Sequence, residues 1–295
     1  MIHVAFSPDD NYVMPTMVAI TSLLENSSED VTIHLLYIDG CLKSNNLELF
    51  RRTVDNYNAI FNAVSIPYTM LEGYPKLRHG LSAYNRILTP YLLPQLNKIL
   101  YLDGDVVVEK SLSDLYHLDL DGVSWAAVAD LKPFFTPGYV ETIGFDQSNH
   151  PYVNSGVMLL NLDELRKNNI NEKVQAYLHQ YKQLIYHEDQ DILNCCCNNV
   201  VILPPKYNSI IHLWTKRIDI CKKCWNDEEI IDAKQSPYIV HYLGGFKPWK
   251  YEVVHPFKNR WYFYLNKTEL KGWRPRVTFR KLISHIKALL LFHFR

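Results

Sequence analysis

The sequence predicts an α/β protein with a mixed, mostly parallel central sheet, flanking helices and a basic amphipathic helix at its C-terminal end. Three observations predict it. The first 66 residues alternate short β-branched runs with amphipathic segments in the order β-α-β-α-β, the order of a parallel sheet with helical crossovers. Strand-like runs end repeatedly in acidic or Asn-rich turns, the edge at which such sheets collect ligands. A chain of 295 residues with 47% hydrophobic and 21% charged content carries a full core, which excludes a disordered or disulfide-stapled peptide.

The elements follow in order. Ile2–Phe6 is an apolar strand that ends in the turn and cap cluster Ser7-Pro8-Asp9-Asp10-Asn11. Met17, Ile20 and Leu24 share one helical face until Asn26-Ser27-Ser28 stops the pattern. Val31–Ile38 alternates and forms the second strand; Leu47, Phe50, Val54 and Tyr57 give the next helix, and Ile60–Ile66 the third strand. Ser82–Leu93 is a further helix. Lys98–Leu102 reads as a strand that runs through Asp103-Gly104-Asp105 and continues as Val106-Val107-Val108. Ser124–Ala129 is a strand ending at Asp130, and Ser155–Leu160 is another, set between Asn154 and the helix start Asn161-Leu162-Asp163. Asp189–Asn194 opens a short helix. Val200–Leu203 and Tyr238–Tyr242 are the last strands, the second feeding Gly244-Gly245-Phe246-Lys247-Pro248-Trp249. No internal repeat is present. The expected division is a catalytic domain over 1–255 and an aromatic connector with a basic tail over 256–295.

Charge separates these two parts. The 31 basic and 31 acidic residues cancel, which argues against a nucleic-acid partner. Residues 271–295 nevertheless hold seven Lys or Arg and no acid, leaving 24 basic against 31 acidic residues, a net −7, in the rest. Phe279, Leu282, Ile283, Ile286, Leu289 and Leu290 fall on one helical stripe. Such a helix is too short and too charged to span a bilayer, and it would lie in the interface of an anionic membrane. The rival reading packs the stripe on the catalytic domain or on a second subunit. No secretory signal is visible, and six Cys with three adjacent at 195–197 suit a reducing cytoplasm. Cys221-Lys-Lys-Cys224 lacks a second ligand pair and reads as incidental thiols. His187 and Glu188 read as solvated loop residues.

Two stretches carry chemistry. In Asp103-Gly104-Asp105 the carboxylates point to one side of an extended backbone, and the intervening Gly lets a large ligand approach. Paired carboxylates repel unless a cation sits between them, and a hard divalent ion completed by phosphate oxygens answers that need. His241 through Trp249 offers an imidazole for the same metal, and Lys247 as a point charge for phosphate. A phosphohydrolase or nucleotidyltransferase would explain the carboxylates but leave His241–Lys247 and Asp189-Gln190 without roles. A sugar-binding scaffold would leave the intact metal set without one.

Taken in order, Phe6-Ser7-Pro8-Asp9-Asp10-Asn11-Tyr12, Arg86, Asp103-Gly104-Asp105, Asp130, Asn154-Ser155-Gly156, Asp189-Gln190-Asp191 and His241 through Trp249 resemble glycosyltransferase family 8. These are retaining nucleotide-sugar transferases, bacterial lipooligosaccharide galactosyltransferases and general stress protein A-like members among them. The resemblance covers about residues 1–250 and implies a GT-A type fold. It implies a UDP-sugar donor, a saccharide or lipid-linked saccharide acceptor, and Mn2+, with Mg2+ as the alternative ion. By the same resemblance Asp9 and Asn11 contact uridine, and Asp103, Asp105 and His241 ligate the metal. Gly244 and Lys247 hold the diphosphate, and Arg86, Asp130, Asn154 and Asp189 grip the donor sugar. Gln190 lies near the anomeric carbon. A neutral amide is a weak nucleophile, so retention is expected by front-face attack rather than double displacement.

Overall fold

A computed structural model describes residues 1–78 and 80–293, the last five by backbone alone. Its elements begin with β1 (Ile2–Phe6), α1 (Val13–Glu25), β2 (Val31–Ile38), α2 (Ser44–Asp55), β3 (Ile60–Ile66) and α3 (Asn85–Leu92). The strands β4 (Lys98–Leu102), β5 (Val106–Val108), β6 (Trp125–Ala129), β7 (Val153–Asn161), β8 (Val200–Leu203), β9 (Ser209–Ile210) and β10 (Ile239–His241) follow.

Seven strands form the central sheet in the order β3-β2-β1-β4-β7-β6-β8. Neighbours are parallel except at β7, which runs antiparallel to both β4 and β6. That reversal positions the site. The carboxyl ends of β1, β4 and β6 share one edge, and β7 begins there, with Val153 beside Ala129 and Val157 beside Leu102.

The inner strands β1, β2, β4, β6 and β7 are buried on both faces, which explains their nearly continuous apolar runs. Val4, Phe6, Leu100 and Leu102 face Met17 and Ile20 of α1. Their alternates Ala5, Ile99 and Tyr101 face Ile87, Leu88 and Leu193 on the other side.

Val106–Val108 does not continue β4. The chain turns at Asp103-Gly104-Asp105, and β5 pairs antiparallel with β10 in a second sheet of order β5-β10-β9. Extended valines are equally compatible with either sheet, so the local pattern held no sign of the change. The helices Ile170–Tyr181, Asp227–Gln235 and Lys258–Leu265 and the two-residue β9 add to the expected elements. Trp261, Tyr264 and Leu265 of the last of these pack with Val18, Val107, Val240 and Tyr242. Each fully buried side chain of this size stabilises by about 1.5–3 kcal/mol, so this helix is clamped to the body.

The C-terminal helix spans Phe279–His293. Phe279, Leu282, Ile283 and Ile286 of its stripe are exposed, Phe279 by 78%. The side chains of Leu289 and Leu290 lie outside the described residues. Among the described residues, no helix is long and apolar enough to cross a membrane.

Candidate functional site

The strand ends open on a cleft of about 680 Å³, and every residue singled out above for donor, metal or catalytic work lines it. Its first wall is the turn after β1. The Asp9 carboxylate accepts from the backbone N–H groups of Asn11 (2.8 Å) and Tyr12 (3.1 Å), which shapes the turn and starts α1. Asp10 points away and accepts from Lys43 N and Asn46 Nδ2 at the start of α2.

At the end of β4, Asp103, Asp105 and His241 bring one ligand atom each within 4.8 Å of one another. His241 ends β10 and is 1% exposed. Its Nδ1 lies 2.9 Å from Asn208 Oδ1, and Asn208 Nδ2 donates to Asn154 Oδ1 at 2.8 Å. With the amide of Asn208 oriented to serve both neighbours, His241 Nδ1 is the donor. A neutral ring bonded in this way turns the lone pair of Nε2 toward Asp105 Oδ1 at 3.3 Å and Asp103 Oδ2 at 3.8 Å. Nε2 is buried and makes no hydrogen bond. A lone pair facing two carboxylate oxygens is an arrangement that a divalent cation completes.

The expected carboxylate repulsion is relieved by the protein itself. Arg86 donates to Asp103 Oδ1 (2.7 Å) and to the carbonyl oxygens of Ala83 and Ser155, and its Nε lies 3.1 Å from Asp189 Oδ2. Lys247 donates to Asp105 Oδ2. Burial pushes the Asp105 carboxyl up, but the neighbouring Lys247 ammonium outweighs it and holds the group well below the usual carboxylate range. Burial also raises Asp189, to about 6, against the pull of Arg86.

Glycine at 104 answers to packing rather than to ligand approach. A Cβ there would lie 2.1 Å from Thr16 Oγ1, because the turn presses on α1. At Gly156 a Cβ would meet His241 Cε1 at 2.4 Å and Asp103 Oδ2 at 2.7 Å, so the ligand pair itself occupies that space.

On the opposite wall Asp130 Oδ2 accepts from Asn154 Nδ2 (2.9 Å) and Gln190 Nε2 (3.2 Å). Gln190 Oε1 accepts from Asn154 Nδ2 (3.1 Å) and Ser155 N (3.2 Å), so its oxygen is engaged. Of Asp189-Gln190-Asp191, the first two residues face the cleft and the third folds the turn behind it. The Asp191 carboxylate, 0% exposed, accepts from Tyr139 OH, Tyr152 OH and the backbone N–H groups of Tyr186 and His187. That wrapped turn buries Glu188 to 1% exposure at φ 38°, which corrects its reading as a solvated residue; His187 is half-buried. Gly244 and Lys247 sit on the loop after β10, along the same cleft. Asn208 went unnoticed in the sequence, where the run Pro-Pro-Lys-Tyr-Asn carries no spacing signal. The six cysteines are free thiols, and burial pushes Cys221 and Cys224 up to about 12.

The profile described as Glycosyl transferase family 8 matches residues 3–253. General stress protein A of Bacillus subtilis (strain 168) is 27% identical over 280 residues, covering 91% of this chain and 94% of that protein. A lipopolysaccharide 1,2-glucosyltransferase of Escherichia coli is 30% identical over 258 residues, covering 84% of this chain and 73% of that protein. The solved structure of galactosyltransferase LgtC with donor and acceptor sugar analogs aligns with a TM-score of 0.79 at 23% identity, covering 96% of this chain and 100% of that one. The shared architecture is the GT-A fold. With the profile spanning most of its length and the motif residues gathered in one cleft, the chain belongs to glycosyl transferase family 8.

Proposed function

We propose that this transferase moves a hexose, galactose or glucose, from a UDP-sugar to a hydroxyl of a saccharide acceptor with retention at the anomeric carbon. The observation that carries the reading is the buried, unpartnered Nε2 of His241 facing Asp103 and Asp105 in the strand-end cleft. Mn2+ bound by these three residues would supply Lewis-acid stabilisation of the charge that grows on the diphosphate.

The chain's own residues do the rest. Asp9 and Asn11 orient the uridine, and Gly244 and Lys247 hold the diphosphate as it leaves. Arg86 fixes Asp103 and Asp189, so one guanidinium aligns a metal ligand with a wall of the sugar pocket. Asp130, Asn154 and Asp189 grip the sugar, and their charge stabilises its oxocarbenium character. Two donors already engage Gln190 Oε1, which supports front-face attack over a glycosyl-amide intermediate. The acceptor's proton then passes to the departing phosphate.

We further place the enzyme at the cytoplasmic face of a membrane, with 1–255 as the catalytic unit and 256–295 as an appendage clamped at Trp261. Support comes from the exposed stripe Phe279, Leu282, Ile283 and Ile286 beside seven basic residues, which suits a lipid-linked acceptor.

The test is a screen of UDP-sugars for Mn2+-dependent hydrolysis without acceptor. One preferred UDP-hexose, with joint stabilisation by Mn2+ and UDP, is expected. Release of inorganic phosphate from UDP, or indifference to nucleotide, would overturn the reading.

A further inference from the structure

We propose that Lys247 is the metal site's own counter-ion, and that it must leave Asp105 when a divalent cation binds, so that cation and nucleotide binding are coupled through this one side chain. The inference rests on the metal reading above and goes beyond Lys247 as a phosphate contact.

Two cations flank the carboxylate pair, and they are held differently. Arg86 is fixed by two backbone carbonyls and two carboxylates, and its guanidinium lies over the Tyr101 ring at 4.5 Å. Lys247 has Asp105 as its one ion-pair partner among the described residues, with the Trp249 ring 5.8 Å away. It also sits on a loop that holds two adjacent glycines. Gly244 adopts φ 62°, and a Cβ on either Gly244 or Gly245 would meet nothing within 4 Å.

Charge decides the rest. Asp103, Asp105 and Asp189 against Arg86 and Lys247 make a set with one excess negative charge, with Asp105 and Lys247 only 6% and 8% exposed. Adding a divalent ion while Lys247 stays would leave an excess positive charge in a confined site, and like charges at such spacing repel strongly. If Lys247 departs, its ammonium needs a new anion. A nucleotide diphosphate supplies one across the same cleft. Without nucleotide the cation must therefore displace Lys247 into water; with nucleotide, the displaced lysine gains a partner. Coupling of this kind is reciprocal, so the cation strengthens UDP binding by the factor that UDP strengthens cation binding.

The experiment titrates Mn2+ into the full chain and follows free Mn2+ by electron paramagnetic resonance, with and without UDP, for wild type, Lys247→Met and Lys247→Arg. Lys247→Met should bind Mn2+ more tightly than wild type when UDP is absent, while the enhancement by UDP shrinks, both within the range of roughly 5- to 150-fold typical of coupled sites. Lys247→Arg keeps the charge and should stay close to wild type without UDP, which separates loss of the counter-ion from damage to the fold. Unchanged Mn2+ affinity of Lys247→Met in the absence of UDP overturns the inference while leaving the metal site standing. If wild type binds no Mn2+ even with UDP, the metal reading itself fails, and the inference with it.

Discussion

Substituting Gly156 by alanine tests whether the ligand cluster is as rigid as its contacts imply. The added Cβ would stand 2.4 Å from His241 Cε1, 2.7 Å from Asp103 Oδ2 and 3.0 Å from Asn154 Oδ1. Ordinary contact begins near 3.4 Å, so the imidazole or the carboxylate must shift by about 1 Å. Neither is free to shift. His241 is 1% exposed and tied to Asn208, and Asp103 is tied to Arg86. Overpacking of this kind costs about 1–3 kcal/mol. If the structure relieves it by displacing ligands, the loss falls on cation binding, because metal–ligand distances tolerate only about 0.2 Å of error. The expected result is a variant that folds, melts slightly lower, and binds Mn2+ with UDP about 5- to 150-fold more weakly, the range that 1–3 kcal/mol represents. Thermal melts with Mn2+ alone, UDP alone and both together provide the assay. Wild-type stabilisation by Mn2+ plus UDP would refute the reasoning, since it would mean that the ligands relax without cost or take no part in binding.

Asp191→Asn should destabilise the fold by about 3 kcal/mol in denaturant titration, because four donors lose a buried charged acceptor and the new NH2 faces some of them; a change below about 0.5 kcal/mol would deny its role in folding the turn. Asp189 titrates near 6 in the fold against an ordinary 3.8, so it favours folding at low pH and that contribution fades as pH rises to 6. Wild type should therefore lose stability relative to Asp189→Asn between about pH 4 and 6, by up to about 3 kcal/mol, and run parallel to it above; a flat difference would show that Arg86 fully offsets burial. Full-length protein should bind anionic vesicles in a salt-sensitive way, each basic residue contributing about 1 kcal/mol, while a chain truncated after Trp273 stays in solution and still hydrolyses donor. Binding that survives truncation, or unfolding of the truncated chain, would assign the tail a structural role.

The fold was legible where burial repeats. Strands packed on both faces announce themselves as apolar runs, and β1 through β4 lie where their sequences put them. Boundaries moved by a residue or two, as at β7, which starts at Val153 rather than Ser155. What could not be read was the partner of a short run: Val106–Val108 has no feature that chooses β10 over a continuation of β4. That choice belongs to the turn at Gly104, which packs against Thr16, 88 positions away in the chain. The helix Asp227–Gln235 is a different case, since its capping box, Asn226 with Glu229, was present in the sequence and escaped notice.

The site divides along the same line. Residues whose chemistry is unusual for their setting, such as the paired carboxylates and the His–Gly–Gly–Lys stretch, could be found by asking what else would explain them. Residues that act by holding others could not. Asn208 fixes the tautomer of His241, Arg86 spends its donors on two backbone carbonyls and two carboxylates, and Asp191 folds the turn that presents Gln190. What the expectation of a divalent ion between Asp103 and Asp105 left out was the protein's own cations. Arg86 lies 17 positions from Asp103, and Lys247 lies 142 from Asp105. A sequence shows charges but not their distances, so it could not reveal that each carboxylate has its own cation. Nor could it separate the cation that is locked in place from the one that rides on a glycine loop. That distinction sets the order in which charge enters and leaves the cleft, and it can be drawn only from the folded chain.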